Sequence, residues 1–369
     1  MRIIHTADIH LDSNLKTNLD ASKAKERKSE LLENFVRMVE YANINNVSAV
    51  CISGDLFDVK KISATARNRV LDAIKAHPDI EFYYLKGNHD FDNFLSGMEE
   101  GLENLFLFTD QWSFYSPKGS ERIVIGGAEL SYDNQNALYD SLFLEPSKFN
   151  IVMLHGQQAK AASDKTETVN LKALRNKNID YLALGHIHSH QEEMIDGRCL
   201  KVYPGCLDPR GFDECGEHGF MLLDIDENSG RYSHEFVPFA TRNIYTIEVD
   251  VSNCESTGDI ITEVDKCVIE SEATDRDIVK IILTGSCDIE AEKDVNLVLK
   301  HFEPCFWFLK VSDDTNVKVR YEDYALDKSL KGAFVRRVMA LTDKSEEEKA
   351  RIIQYGLSAI TGGEVEECD

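Results

Sequence analysis

The sequence lacks the apolar segments and paired cysteines that would place the chain in a membrane or an oxidising compartment. It has no run of about 18 apolar residues, the length that a membrane-spanning helix needs. Its first residues also lack the apolar core of a secretory signal peptide. The nine cysteines are scattered and include no Cys-x-x-Cys pair, which indicates free thiols rather than a disulfide framework. These absences predict a cytoplasmic protein without a membrane contact.

Basic residues are scarce compared with acidic ones. The chain has 41 Lys and Arg against 65 Asp and Glu, a formal net charge of −24. An acidic surface repels nucleic acid, so the composition argues against nonspecific DNA binding. Divalent cations bound by acidic residues would offset part of this charge. A metal enzyme that acts on phosphates therefore stays compatible with the composition.

The order of apolar segments predicts an α/β fold. A length of 369 residues with 43% hydrophobic and 29% charged residues is typical of a soluble globular protein of two or three domains. Over about the first 155 residues, apolar strands alternate with helical patterns, which favours parallel strands at the centre of a sheet. Closely spaced strands between 123 and 237 predict a second, more antiparallel sheet.

Breaks in the pattern divide the chain into three predicted segments. Residues 1–240 form the first, and a break near 238–243 leads to a small α+β domain over 244–327. From 328 to 362 the pattern is helical, with an apolar stripe at Leu330, Phe334, Val338 and Leu341. Ser345 followed by Glu348 predicts a capping box at the start of the second of two helices.

Five short polar clusters each follow a predicted strand. They are Asp8-Ile-His10, Gly54-Asp-Leu-Phe-Asp58, Gly87-Asn-His-Asp90, His155-Gly156 and Gly185-His-Ile-His188. Because the carboxyl ends of parallel strands meet at one edge of a sheet, residues far apart in sequence can come together there. One His or Asp at a strand end is usually a cap or a surface residue, but five such clusters in one chain favour a shared site.

The residue types in these clusters suit hydrolysis of phosphoesters with two metal ions. Two divalent cations about 3.5–4 Å apart need a bridging carboxylate. Carboxylate, imidazole and amide ligands suit Mn, Fe or Zn, and the clusters contain no cysteine for a thiolate site. By contrast, His5 lies inside the first apolar strand, where a core histidine is the better interpretation. His190 continues the alternation after His188, but we expect it not to be a ligand.

The five clusters, in this order, resemble the calcineurin-like metallophosphoesterase family. The segments His5-Thr-Ala-Asp-Ile-His-Leu-Asp12 and Tyr203-Pro-Gly-Cys-Leu-Asp-Pro-Arg-Gly-Phe-Asp-Glu214 resemble its DNA-repair exonuclease branch, which includes SbcD-type nuclease subunits. The resemblance implies a metallophosphoesterase β-sandwich flanked by helices, followed by a small α+β capping domain and C-terminal helices. The protein-phosphatase branch has Arg-Gly after the second Asp of the Gly-Asp cluster, whereas Val59-Lys60 stand here, which counts against a phosphatase.

Carried over position by position, the resemblance implies a role for each polar residue. Asp8, His10, Asp55 and His188 would hold a first metal ion, with Asp55 bridging to a second ion held by Asn88, His155 and His186. His89 would be the general acid, and Asp58 would orient its ring and stabilise its charged form. The implied cofactors are two divalent ions, Mn²⁺ first, with Fe or Zn as alternatives.

The resulting interpretation is a DNA exonuclease or endonuclease of DNA repair. The branch implies a long coiled-coil ATPase partner of the SbcC type, docked on the C-terminal helices, and leaves a homodimer open. Lys60, Lys61, Arg67, Arg69 and Arg210 are candidates for DNA phosphate contacts. A small-molecule phosphodiesterase of the cyclic-nucleotide type would use the same metal ions, and a non-catalytic scaffold for an ATPase is a third interpretation, disfavoured by the complete ligand set.

Overall fold

The structure is a computed structural model that describes residues 1–13, 15, 19–58, 62–90, 102–131, 133–158, 168–288, 291–318 and 324–361. The chain divides into two compact units, Met1–Asn243 and Ile244–Asp369. The finer division into segments at 240, 244–327 and 328–362 stays a prediction.

The first unit is built on two six-stranded sheets. Its longer strands are β1 Arg2–Thr6, β2 Val47–Ser53, β3 Glu81–Leu85, β4 Leu105–Leu107, β5 Ser113–Tyr115, β6 Ile123–Gly127, β7 Phe149–His155, β10 Tyr181–Gly185, β11 Gln191–Met194, β12 Leu200–Tyr203, β13 Gly219–Ile225 and β14 Tyr232–Pro238. Two short strands, β8 Gln157–Gln158 and β9 Thr168–Val169, pair with each other. The helices are α1 Ala21–Ile44, α2 Ala64–Ala76, α3 Gln135–Ser141 and α4 Leu171–Leu174.

The strand order places parallel strands at the centre of both sheets. The first sheet has the order β14-β13-β1-β2-β3-β4 and the second has β11-β12-β10-β7-β6-β5. Each has three parallel and two antiparallel pairings. The expectation of a more antiparallel second sheet is therefore wrong. The β13–β14 hairpin, whose close spacing suggested it, pairs with β1 of the first sheet instead, because spacing along the chain does not fix which sheet a hairpin joins.

Side chains of the buried strands alternate between two cores. Ile4 and Val50 pack toward α1 and α2, whereas Ile3, Ala49 and Cys51 pack between the two sheets. This follows from the two-residue period of a strand. The outer face of the second sheet carries a third core, to which the residues around α3 and α4 contribute. The result is a sandwich with helices outside, so the predicted fold class is confirmed.

Helix α1 is capped at its start by Asp20. The Asp20 carboxylate accepts hydrogen bonds from the backbone N–H groups of Ser22 and Lys23, which caps the first turn. Its buried apolar residues recur at helical spacing: Leu31, Phe35, Met38, Val39 and Ala42. That stripe covers the first sheet and supports the strand ends beyond it.

The second unit has its own sheet and core. Its elements are β15 Ile244–Asp250, α5 Thr257–Glu270, β16 Ile278–Thr284, β17 Ser286–Asp288, α6 Val295–Phe302, β18 Phe308–Asp313, β19 Asn316–Lys318, α7 Leu330–Met339 and α8 Glu346–Thr361. Strands β15, β16 and β18 form a parallel sheet, and β17 pairs with β19. Helices α7 and α8 share a small core of Tyr324, Val335, Val338, Ile353 and Leu357. The backbone N–H of Glu348 donates to Ser345 Oγ, and the backbone N–H of Ser345 donates to the Glu348 carboxylate, which is the predicted capping box.

Two absences hold for the part of the chain that the structure describes. No helix there has the length and apolar character to cross a bilayer. The cysteines there are free, as their scattered positions predict.

Candidate metal centre

The candidate centre lies where five parallel strands end. Strands β1, β2 and β3 of the first sheet end at Thr6, Ser53 and Leu85, and strands β7 and β10 of the second end at His155 and Gly185. The predicted site residues lie at or just beyond these ends: Asp8, His10, Asp55, Asp58, Asn88, His89, His155, His186 and His188. The structure brings all of them into one neighbourhood that draws on both sheets.

Three overlapping groups of these side chains are spaced closely enough to hold a cation. The groups are Asp8 with His10 and His188, Asp8 with Asp55 and His155, and His10 with Asp58 and His89. Within each group the potential ligand atoms lie within 4.8 Å of one another. Since Asp8 and His10 each belong to two groups, the three form one continuous site.

Asp55 lies at the centre of the site and is almost fully buried. Its Oδ2 is 3.4 Å from His155 Nε2 and 3.7 Å from His10 Nε2. Its Oδ1 accepts a 2.8 Å hydrogen bond from the backbone N–H of His89. Burial would raise the pKa of this carboxyl, but its contacts with His155 and His10 outweigh burial and hold the pKa below its usual range. The carboxylate is therefore charged and faces histidines on two sides.

His10 and His188 face each other through their ring nitrogens. The two Nε2 atoms are 3.2 Å apart. Burial, with the charge of Arg210 adding to it, lowers the pKa of His10 to about 2, so its ring is neutral. The Nδ1–H of His188 donates to Glu214 Oε1 at 2.6 Å, which leaves Nε2 of that ring to act as a ligand.

His155 gives the clearest indication that the site fits a cation. Its Nδ1 lies 2.9 Å from the carbonyl oxygen of Ser53 and donates to it. Its Nε2 faces two oxygens, Asn88 Oδ1 at 3.0 Å and Asp55 Oδ2 at 3.4 Å. Burial would lower the pKa of His155, but Asp55 outweighs it and raises the pKa to about 9. A nitrogen surrounded by acceptor oxygens needs a positive charge, which either a proton or a bound cation supplies.

The backbone of the site residues adopts an uncommon conformation. Asp8, His10, Asp55 and His186 have φ angles of 51°, 49°, 52° and 101°. This left-handed region is unfavourable for residues with a Cβ atom. The Asp8 carboxylate also accepts the backbone N–H of His186 with both oxygens at 2.9 Å. The chain thus turns sharply after β1, β2 and β10, and these turns aim side chains into the site.

Gly87 and Asp90 hold the loops after β2 and β3 together. A Cβ atom on Gly87 would lie 2.2 Å from Asp55 Oδ1 and 2.6 Å from the Asp55 backbone nitrogen, so only glycine fits there. The Asp90 carboxylate accepts the backbone N–H groups of Leu56, Phe57 and Gly87. It therefore ties the loop that carries Asp55 to the loop that carries Asn88.

His89 and Asp58 form a pair at the exposed rim of the site. The His89 Nδ1 lies 2.6 Å from Asp58 Oδ1, and the His89 side chain is 46% exposed. The ring packs edge-on against His10, with 5.1 Å between ring centroids. With Nδ1 bound to the carboxylate, Nε2 of His89 is the nitrogen left for a group that enters from solvent.

Two residues that the sequence analysis did not assign to the site complete it. Glu214 is buried and hydrogen-bonds His188, and Arg210 donates to Asp58 Oδ2 at 3.2 Å and to Glu214 Oε1 at 2.9 Å. Both occur in the segment from Tyr203 to Glu214 that carried the family resemblance, which was the available signal. Arg210, a candidate DNA contact by sequence, points into the protein and is paired with two carboxylates.

The other basic candidates and lone histidines have different surroundings. Lys60 and Lys61 lie outside the described residues. Arg69, on α2, pairs with Glu33 at 3.0 Å on an exposed surface. His5 is buried between the sheets, with Nδ1 3.0 Å from the Tyr181 hydroxyl, and burial lowers its pKa to about 3. His190 belongs to none of the three groups that could hold a cation.

A small cavity adjoins the site on the side of Asn88 and His155. Its volume is about 190 Å³, and it is lined by Lys86, Gly87, Asn88, Asp90, Glu129, Leu130 and His155. Pockets that enclose a drug-sized ligand have volumes of about 300–1,000 Å³. The volume of this cavity is below that range.

Comparison with known proteins gives a family match and several distant relatives. The family of calcineurin-like phosphoesterases matches residues 1–190. The DNA double-strand break repair protein Mre11 of Methanopyrus kandleri is 26% identical over 325 residues, which cover 78% of this chain and 69% of that protein. The uncharacterized metallophosphoesterase YhaO of Bacillus subtilis is 28% identical over 249 residues, covering 64% and 60%. A component of the nuclease SbcCD of Escherichia coli is 25% identical over 267 residues, covering 60% and 64%.

Proposed function

Because this chain belongs to the calcineurin-like phosphoesterase family, we propose that it is a metal-dependent DNA exonuclease or endonuclease of DNA repair. The observation that carries the proposal is the convergence of carboxylate, imidazole and amide groups from five strand ends on Asp55. Such a set of ligand types favours two divalent cations over a single thiolate-bound zinc.

We assign the metal ligands as the family resemblance implies. Asp8, His10, Asp55 and His188 would hold one ion, and Asp55, Asn88, His155 and His186 would hold the other. Mn²⁺ is the first choice, with Fe or Zn as alternatives, because hard oxygens and imidazoles are mixed in the site. When bound, the ions supply Lewis-acid stabilisation of the charge that develops on the phosphate. Asp55 neutralises charge on both sides, and the neutral ring of His10 is ready to act as a ligand.

His89 is assigned as the proton donor to the leaving oxygen. Its side chain is 46% exposed, and its Nδ1 is anchored on Asp58. Asp58 thereby fixes the orientation of the ring and stabilises the imidazolium. The pair lies next to His10 but at the rim of the site, where a leaving strand can reach it.

DNA is favoured as the substrate over a small cyclic phosphodiester. The cavity of about 190 Å³ beside Asn88 is smaller than pockets that enclose a drug-sized ligand, which agrees with a polymer that lies across the rim and places one phosphate in the site. The names of the relatives from Methanopyrus kandleri and Escherichia coli, a DNA repair protein and a component of a nuclease, agree with this choice. Since the chain covers only 60–69% of these relatives, their activity is carried over here as a proposal.

The test compares linear duplex DNA, single-stranded DNA and a small phosphodiester as substrates, each with Mn²⁺, Mg²⁺ and Zn²⁺. We expect Mn²⁺-dependent cleavage of DNA, lost after treatment with a chelator. The double variant Asp8→Asn and His10→Gln controls for a contaminating nuclease, because it lacks two proposed ligands from one loop. Cleavage of the small ester alone would contradict the DNA proposal and favour the small-molecule phosphodiesterase.

A partner protein would supply the positive charge that this chain lacks for binding DNA. A chain of net charge −24 repels DNA, so we propose that a long coiled-coil ATPase of the SbcC type supplies the basic DNA path. Helices α7 and α8 are the proposed docking element. Their facing sides are buried in a shared core, while Leu330 is 70% exposed and Leu341 and Tyr355 are also exposed. Apolar side chains left exposed on a helix pair are typical anchors for a partner's groove.

Truncation before Lys328 tests the docking proposal. We expect the shortened chain to stay folded, to bind metal and to cut short DNA, but to lose co-purification with the ATPase. The variant Leu330→Ser and Leu341→Ser is a finer change, because it alters only exposed side chains. A truncated chain that aggregates or melts at a much lower temperature would show that these helices belong to the chain's own core.

A further inference from the structure

A continuous series of short polar contacts joins the proposed general acid to a proposed metal ligand. His89 contacts Asp58 at 2.6 Å, and Asp58 accepts from an Arg210 terminal nitrogen at 3.2 Å. The other terminal nitrogen of Arg210 donates to Glu214 at 2.9 Å, and Glu214 accepts from His188 at 2.6 Å. We infer that Arg210 and Glu214 are positioning residues that fix the general-acid pair and the metal ligand relative to each other. This inference rests on the proposed function.

Burial separates this arrangement from an ordinary surface ion pair. The side chains of Glu214 and Arg210 are 4% and 17% exposed. Pairs of exposed charges contribute little, but a buried guanidinium and carboxylate are retained only with good geometry and several hydrogen bonds. Glu214 meets that condition, because its second oxygen also accepts the backbone N–H of Arg210 at 2.6 Å.

The segment that carries these two residues is itself anchored at both ends. Near its start, Asp208 forms a buried ion pair with Arg27 and accepts a 2.9 Å hydrogen bond from Asn34. Near its end, the His218 Nε2–H donates to the carbonyl oxygen of Glu214 at 3.0 Å, and His218 Nδ1 accepts from the Cys206 thiol. A segment fixed by buried contacts can hold other side chains in place, whereas an unattached loop cannot.

The chemistry of the two positions differs. Glu214 accepts Nδ1–H of His188, so Nε2 of that ring, which is directed at His10, is the nitrogen available to a metal ion, and this pairing orients histidine ligands in metal sites. Arg210 has a planar fork that reaches Asp58 and Glu214 at once, which a lysine cannot reproduce. Loss of Glu214 should therefore weaken metal binding, and loss of Arg210 should weaken proton donation.

The experiment uses Glu214→Gln, Arg210→Gln and Arg210→Lys. Arg198→Gln is the matched control, because Arg198 pairs with Asp180, which precedes β10, whereas the site follows the other end of that strand. Folding is compared by thermal melting. Mn²⁺ affinity is measured by electron paramagnetic resonance, and rates are measured on a DNA substrate and on a phosphodiester with an activated leaving group.

For Glu214→Gln we expect Mn²⁺ binding to weaken about 10- to 100-fold, the usual cost of losing a group that orients a ligand. Affinity equal to that of Arg198→Gln would overturn the role of Glu214. This measurement needs no substrate, so it stands even if the chain hydrolyses no phosphodiester, an outcome that would refute the proposed function instead.

For Arg210→Gln we expect about a 10-fold loss of rate on DNA, the size of one charge-assisted hydrogen bond, and little loss on the activated ester. Arg210→Lys keeps the buried charge but lacks the planar fork, so it should not restore the rate on DNA. The decisive measurement combines Arg210→Gln with His89→Ala. If Arg210 acts through His89, the double variant is no slower than His89→Ala alone. Losses that multiply in the double variant would overturn the role of Arg210.

Discussion

Replacing His89 by alanine tests whether its ring protonates the leaving oxygen. The ring contributes through Nε2, while its Nδ1 is held by Asp58 at 2.6 Å. A positioned general acid accounts for about 10²–10⁴ in rate, which corresponds to about 3–5 kcal/mol of transition-state stabilisation. We therefore expect His89→Ala to lose about that factor on DNA while binding the same amount of Mn²⁺.

The contribution of Asp58 should be smaller, because it acts through His89. A hydrogen bond to a charged group contributes about 1.5–3 kcal/mol. The side chains of Asp58 and His89 are 25% and 46% exposed, so water screens the pair and the lower end of that range applies. We expect Asp58→Asn to lose roughly a factor of 10 in rate.

The assay compares a DNA substrate with a phosphodiester whose leaving group is a nitrophenol. A good leaving group needs no proton, so His89→Ala should be almost as active as the wild type on that ester. His234→Ala is the control, because His234 forms a similar exposed pair with Glu192 at 3.0 Å but lies on β14, away from the site.

Two results would refute this assignment. Equal losses on both substrates would show that His89 does not act as an acid. A fall in bound Mn²⁺ would show that His89 is instead a ligand, an arrangement that its proximity to His10 and Asp58 allows geometrically.

Other changes have outcomes that follow from the same geometry. Asp55→Asn removes the carboxylate charge between two histidines, so elemental analysis should find fewer metal ions per chain than in the wild type, and a full complement would contradict its bridging role. Gly87→Ala brings a methyl carbon to 2.2 Å from Asp55 Oδ1; we expect about 1–3 kcal/mol of lost stability in chemical denaturation and weaker Mn²⁺ binding, and unchanged values for both would contradict the close approach. His5→Gln removes a buried ring whose pKa is lowered to about 3. Between pH 8 and pH 5 the unfolded wild type protonates this ring, whereas the folded wild type does not. The free energy of unfolding of the wild type should therefore fall by about 2 kcal/mol more than that of the variant over this pH range. A difference between the two proteins that does not change with pH would contradict this expectation.

The sequence was sufficient to predict the family, the fold class and the positions of most strands. Each strand that leads into the site is a short apolar run followed at once by a polar cluster, as at Val47–Ser53 before Asp55. Local periodicity and the convergence of parallel strand ends then predict which residues meet. The nine predicted site residues do lie together in the structure, whereas their roles as ligands or acid stay predictions.

The contacts around the predicted residues could not be obtained from local patterns. Arg210 and Asp58 are 152 positions apart and come from loops, where no periodicity indicates which side chain points inward. Arg210 therefore resembled a surface charge in the sequence. The prediction of which sheet the β13–β14 hairpin joins was wrong for a related reason, because its pairing with β1 depends on the path of the whole chain.

The left-handed backbone at Asp8, His10, Asp55 and His186 has a consequence for how this protein can change over generations. Each such residue costs the folded chain roughly 1 kcal/mol compared with glycine, which accepts that conformation freely. Substitutions to glycine there would relieve the strain and remove the site in one step. A chain selected for its fold but not for activity could therefore exchange these residues for glycine and lose the backbone strain. If relatives of this protein keep these four residues, that would therefore indicate continued selection for the reaction.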